Sequence, residues 1–304
     1  MPRILFLLTG QLTCQLSRLL AVVAAATLVA GPVVAEPFSR GLLWEISRAG
    51  KPKSYLFGTM HLADQRLLLL SPAVEKALDG ARCFVMEMVP DDAAAQGFAE
   101  ALELPAGERL SALLGEPAYA QLSDILAKRG MAAERVARIR PWAALLLLTE
   151  GQTATGHSLD MELLARASQQ RKTRDGLESV EEQIAVFDDL PVDTQVALLR
   201  ATLRSYADLP RELERSIDAY LRGDLAQLMQ LAGQLPGATE DEKQHLAMFE
   251  KKLIRDRNVV MAHRLQSSLR RCKTFAAVGA LHLYGQHGML QLLRDDGWTV
   301  RRKN

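Results

Sequence analysis

Apolar and polar positions along the chain follow two rhythms. Leu42 to Ile46 and Tyr55 to Thr59 are short apolar runs of strand type, separated by Arg48-Ala49-Gly50-Lys51-Pro52-Lys53, a turn-rich joint of the kind that closes a hairpin. A helix follows with legible punctuation. Ser71 is placed to cap it, Pro72 takes the first helical position, where a missing N–H costs nothing, and Gly80 ends it. Cys83 to Met88 is a further apolar strand, carrying one acid, Glu87. Strand, helix and strand in this order predict a βαβ unit and a partly parallel sheet.

From Asp91 to about Thr149 the spacing is helical, interrupted at Pro105, Gly115, Gly130 and Pro141. Thr173 to Leu177 is a strand candidate of poor propensity, lying between a helix over Leu159 to Gln170 and the capping box Ser179-Val180-Glu181-Glu182. Pro191 to Ser268 is helical again, with joints at Pro210, Gly223 and the Gly233 to Gly237 stretch. Phe275 to Leu281 is a strongly apolar strand, Gly288 to Asp295 one more helix, and Trp298 to Arg301 an edge strand. Strands therefore come from both ends of the chain. The expected class is α/β in its α+β form: a mixed, mostly parallel sheet made by N- and C-terminal strands, with a large helical insertion over about residues 91–270.

Composition changes this picture at the N-terminus. Arg3 and Arg18 frame an apolar stretch, Leu19 to Ala30 carries no charge, and Gly31-Pro32-Val33-Val34-Ala35 follows. This is the layout of a secretory signal peptide with cleavage after Ala35, and the run of about a dozen apolar residues is shorter than the roughly 20 needed to span a bilayer. An uncleaved N-terminal anchor is the alternative and the one expected route to membrane association; Gln11-Leu12-Thr13-Cys14 is a poor lipobox. Residues 36–304 are expected to form a single domain, periplasmic or secreted. The 37 basic residues balance 36 acids, and loss of two arginines with the signal keeps the mature chain near neutrality. Nucleic acid is thereby excluded as an expected partner, since phosphate binding needs a basic excess. Cys83 and Cys272 remain as a candidate disulfide in an oxidising compartment. Each begins a strand, and if those strands are parallel neighbours the two sulfurs fall at the same end of the sheet. No Cys/His cluster is present to supply a zinc ribbon.

One short segment is echoed: Phe57-Gly58-Thr59-Met60-His61-Leu62 against Val278-Gly279-Ala280-Leu281-His282-Leu283. Glycine at a strand terminus lets backbone or ligand approach closely, and the imidazole then projects from the carboxyl end of the sheet, where open α/β sheets place ligands. Two such strands side by side would converge His61 and His282. Glu87 fits the same reading, because an acid inside an apolar run is costly to bury unless it is paired or coordinated. Asp160, Glu178, Arg257 and Asn258 lie at element ends or on helices, where polar residues are usually at the surface.

On these residues the chain resembles the TraB/GumN family. Leu56-Phe57-Gly58-Thr59-Met60-His61 looks like its opening motif and Val278-Gly279-Ala280-Leu281-His282 its closing one. Gly156-His157-Ser158-Leu159-Asp160, then Asp175-Gly176-Leu177-Glu178-Ser179 with Glu182-Gln183, and Arg257-Asn258 match the internal motifs in order, so the resemblance runs from about Trp44 to Arg301. That family is similar to the Tiki metal-dependent proteases and more distantly to erythromycin esterases and ChaN-type haem-binding lipoproteins. The resemblance implies His61 and His282 as metal or catalytic histidines with Glu87 as the matching glutamate. The pattern departs from the family's usual one at His157-Ser158.

Three functions follow as expectations. The first is a metal-dependent, peptidase-like hydrolase in which His61 and His282 hold a divalent ion, Glu87 either ligates it or acts as general base, Arg257 stabilises an oxyanion, and Asn258 orients the substrate or a group behind a metal ligand. The second is an esterase-like hydrolase without metal, with one histidine as general base. The third is a non-enzymatic periplasmic binder of a peptide or haem. The expected partner in each is a peptide or small molecule.

Overall fold

The computed structural model describes residues 36–90, 92–149 and 158–303. The segment expected to act as a signal peptide lies outside them, as does His157. The described strands are β1 (Leu43–Ser47), β2 (Ser54–Thr59), β3 (Cys83–Met86), β4 (Thr173–Gly176), β5 (Thr274–Gly279) and β6 (Thr299–Lys303). They form one sheet in the order β4-β3-β5-β2-β1-β6. β1 and β2 make the antiparallel hairpin that their alternating runs predict, and β6 closes the far edge antiparallel to β1. The middle of the sheet is parallel: β5, from the other end of the chain, inserts between β2 and β3, and β4 flanks β3. Strands covered on both faces read as unbroken apolar runs, and Leu56, Phe84, Phe275 and Ala276 are fully buried there.

Local signals hold where they were legible. Ser71 caps Pro72–Asp79 by accepting from the Val74 N–H, and Ser179 and Glu182 complete a reciprocal capping box at Val180–Asp188. Part of the helical insertion builds its own hydrophobic cluster, in which Trp142, Leu110, Leu122 and Leu199 are buried, while its helices carrying Leu159, Ile217 and Leu265 join the cluster that packs the sheet. Among the described residues no helix is long and apolar enough to cross a membrane. Cys83 and Cys272 form a disulfide across the amino-terminal ends of β3 and β5, with Cα atoms 6.1 Å apart.

Two strands are shorter than their apolar runs. β3 stops at Met86, which leaves Glu87 just beyond the strand, and β5 stops at Gly279, after which Ala280–Leu283 is a 3₁₀ turn. His282 therefore sits on a turn and not on a strand end. Hydrophobicity continues past the last ladder bond because the turn is itself packed in the core, with Ala280 and Leu283 buried.

Candidate functional site

The parallel strands end together at one edge of the sheet. β2 and β5 are staggered by one residue, so that Thr59 faces Gly279 and Gly58 faces Val278. Both motif glycines allow close approach. A Cβ on Gly58 would lie 2.8 Å from Leu283 Cδ1 and 3.0 Å from Ala280 Cα. A Cβ on Gly279 would lie 3.3 Å from both Glu87 Oε1 and His61 Nε2, and 3.4 Å from His282 Cδ2. The missing side chain of Gly279 is thus a cradle bordered by the three residues singled out in the sequence.

Each imidazole is anchored through Nδ1. His61 Nδ1 is 2.8 Å from Asp160 Oδ2, and the other Asp160 oxygen accepts from Thr59 Oγ1 at 2.6 Å. Asp160 stands in the first turn of helix Leu159–Gln169, where the helix dipole favours a carboxylate. His282 Nδ1 is 2.7 Å from Asn258 Oδ1, while Asn258 Nδ2 donates to the His287 carbonyl at 2.8 Å. That second bond fixes the amide orientation. Because carboxylate and amide oxygens only accept, both histidines carry their hydrogen on Nδ1 and turn Nε2 inward. The two Nε2 atoms lie 3.8 Å and 3.5 Å from the same Glu87 oxygen, Oε1.

Glu87 is held from two further sides. Gly279 N–H donates to Oε1 at 2.7 Å, and Arg257 Nη2 donates to Oε2 at 2.7 Å. Arg257 also grips Glu178, through Nη2 at 2.6 Å and Nε at 2.9 Å, and its Nη1 donates to the Leu253 carbonyl while standing 3.5 Å from His282 Nε2. Arg257 and Asn258 open helix Arg257–Arg271 immediately after a π-helical segment, Lys251–Asp256. Such widened turns are frequent at functional sites. Asp160, Glu178 and Asn258 are all buried, against the surface placement that their positions at element ends suggested. Burial follows from the tertiary partners, since each satisfies a group on a different segment.

The electrostatics are lopsided. Formally, three carboxylates, Glu87, Asp160 and Glu178, face one guanidinium, an excess of negative charge that favours the protonated form of a neighbouring imidazole. Burial lowers the proton affinity of His61, although 58% of its side chain is open to solvent. Asp160 and Glu87 outweigh that and raise its pKa well above the usual imidazole value. Burial would push Glu87 up, yet His282, His61 and Arg257 together hold it well below the usual carboxylate range. His282 is pushed down to about 4, first by burial and then by Arg257 and His61, with Glu87 opposing. The two echoed histidines are therefore unlike: one at the mouth and readily protonated, one buried and neutral.

The donor chemistry fits a divalent ion, with two imidazole nitrogens and a carboxylate oxygen around a cradle and an acceptor behind each ring. Among the described residues, however, no group of three or more His, Cys, Asp or Glu stands in an arrangement that could hold a metal ion as it is. Sequence reasoning missed two contributors. Thr59 lies within the opening motif and fixes Asp160, and its signal was a hydroxyl on a buried strand. Tyr220, whose hydroxyl donates to the Gly58 carbonyl at 2.8 Å, had no local signal.

No solved structure matches the chain. Among curated proteins it is 28% identical to "Uncharacterized protein YbaP" of Shigella flexneri over 255 residues, 82% of this chain and 91% of that protein. It is 27% identical to "Metalloprotease TIKI2" of Danio rerio over 319 residues, covering 88% of this chain and 62% of that protein, and 27% identical to "Metalloprotease TIKI2" of Xenopus tropicalis, of which it spans 59%. The sequence profile of the TraB/PrgY/gumN family matches residues 42–302, and the chain belongs to that family.

Proposed function

We propose that this chain is an exported hydrolase of amide bonds that works with a divalent metal ion held by His61, His282 and Glu87. The observation that carries the reading is the pair of inward-facing Nε2 atoms sharing one carboxylate oxygen, each ring anchored through Nδ1 by Asp160 or Asn258. Acceptors behind metal-binding imidazoles fix the tautomer and strengthen the ligand. A bound ion of this kind supplies a water whose pKa is lowered to about 7 and polarises the substrate carbonyl. Arg257 holds Glu87 in place, and its Nη1, directed toward the His282 side of the cleft, is positioned to donate to the developing oxyanion. Glu178 keeps the guanidinium in that orientation. The likeness to proteins named metalloproteases supports a peptide as substrate. The disulfide and the signal-like N-terminus support an oxidising, extracytoplasmic location.

A second reading is favoured by the state of Glu87, whose oxygens are already taken by Gly279 and Arg257. Here His61, oriented by Asp160, acts as general base without a metal, at pH above its raised pKa, where the ring is neutral. Elemental analysis of protein purified from its native compartment, with hydrolysis measured before and after exhaustive chelation, separates the two. The metal reading expects a stoichiometric ion, loss of turnover on chelation, and His61→Ala and His282→Ala each as damaging as the double change, because residues acting as one unit are non-additive. Full hydrolysis after chelation of a metal-free protein sinks it in favour of the base mechanism. Ligand binding with no turnover of any peptide or ester leaves a binder.

A further inference from the structure

We propose that the cleft between helix Val180–Asp188 and the Lys251–Arg257 stretch is a subsite for one aliphatic side chain of the substrate, an inference that rests on the peptide-hydrolase reading. The cleft is continuous with the site, because Glu178 and Arg257, the ion pair that holds Glu87, form one of its walls. Its floor is apolar, made by Ala185, Val186 and Val260. Val260 is 39% exposed. A β-branched residue is a middling helix former, and an exposed helical surface gains nothing from it by propensity. The placement of Val260 in the cleft, one turn from Arg257, is explained if an apolar group of the substrate covers it.

The rim decides the chemistry of the occupant. Every charged group around this floor already has a partner of opposite sign: Glu182 with Arg264, Asp189 with Lys252, Asp256 with Lys251, and Glu178 with Arg257. A charged ligand group entering here would lose its hydration without finding a free counter-charge, whereas an aliphatic group loses nothing polar. The cavity, about 260 Å³, lies below the roughly 300 Å³ at which drug-sized ligands begin to fit, which suits a single side chain. The wall on the far side is the π-helical segment Lys251–Asp256, so the same widened turn borders the subsite and delivers Arg257.

The test uses a series of blocked peptides, acetyl-Gly-Gly-Xaa-Gly-Gly-amide, with Xaa as Leu, Val, Gly, Asp or Lys. Turnover is followed with the wild-type protein. Binding is followed separately through the methyl NMR signals of Val186 and Val260 in the His61→Ala protein, whose replaced side chain is largely exposed. The subsite predicts kcat/KM for Leu or Val at least tenfold above Gly, Asp and Lys. It also predicts that the Leu peptide selectively moves the two valine signals. Val260→Trp, which fills the cleft, should raise KM for the Leu peptide about tenfold at nearly constant kcat and flatten the preference. Equal kcat/KM across the series, or valine signals indifferent to the Leu peptide, overturns the subsite while the hydrolase stands. Valine shifts without any hydrolysis keep the subsite and remove the hydrolase.

Discussion

At their amino-terminal ends β3 and β5 are joined by the Cys83–Cys272 disulfide; at their carboxyl ends the same two strands are joined through the Gly279 N–H bond to the Glu87 carboxylate. One end is a covalent clamp that needs no particular electrostatic surroundings. The other is a set of ionisable groups, buried except for His61 at the mouth, each satisfied by a residue from a different segment. The disulfide acts mainly by restricting the unfolded chain, so it stabilises whatever the native site looks like. The carboxyl end stabilises only while all its partners are present. The two strands that carry this polar cluster at one end are thus tied covalently at the other.

Breaking the polar end should have the largest effect. Arg257→Ala leaves Glu87 and Glu178 buried without their shared counter-charge, and loss of one partner of a buried pair costs about 3–5 kcal/mol. Urea unfolding should show that loss together with abolished hydrolysis. A stability within 1 kcal/mol of wild type, roughly the worth of an exposed ion pair, would mean that the pair is solvated and the contrast between the ends is false.

Acid should expose the same end without mutation. His282 is neutral in the fold, with its pKa pushed down to about 4, but ordinary once unfolded. The unfolded chain then binds more protons between pH 6.5 and 4, and stability falls as pH drops through that window, by about 3 kcal/mol in all for the metal-free protein. Glu87, held below its ordinary value, loses its own contribution only as pH falls through its folded pKa. His61 runs the other way: its raised pKa gives a contribution fully present below pH 6.5 and lost as pH rises through the folded value. Unfolding free energies measured from pH 4 to 8 should lose the acid slope in His282→Gln and keep it in His61→Gln.

The covalent end should be separable from function. Cys83→Ser with Cys272→Ser should cost about 2–4 kcal/mol, read as a lowered Tm, while kcat at low temperature stays within about twofold of wild type. A parallel collapse of kcat would show that the clamp also sets the site. Smallest of all, Ser179→Ala removes one side of the capping box beside Glu178 and should cost about 1 kcal/mol with little change in KM, measured by thermal melts and steady-state kinetics.

Legibility in the sequence followed the range of the interaction. The hairpin, the Ser71 and Ser179 caps and the insertion helices were readable because their causes lie within a few residues. Glu87 was readable for a related reason, since an acid inside an apolar run conflicts with its neighbours. Asp160, Glu178, Arg257 and Asn258 carry no such conflict, and only resemblance to a family pointed to them. The strand Thr173–Gly176, poor in propensity, exists because β3 offers it a ladder. The ends of β3 and β5 were overrun because hydrophobicity reports burial and not hydrogen bonding.

By itself the sequence determined the fold class, the two Gly-x-x-His motifs following apolar strands, the cysteine pair as a candidate, and the acid that had to find a partner. Tertiary structure alone decided that β5 lies between β2 and β3, that Asp160 and Asn258 stand behind the two imidazoles, and that Arg257 bridges Glu87 to Glu178. The physical reason is that apolar periodicity and caps act between near neighbours along the chain, whereas a buried charge is settled by whichever distant segment supplies its partner. His61 and His282 show the division: the same local motif, at the same edge of one sheet, holds its proton in one place and gives it up in the other.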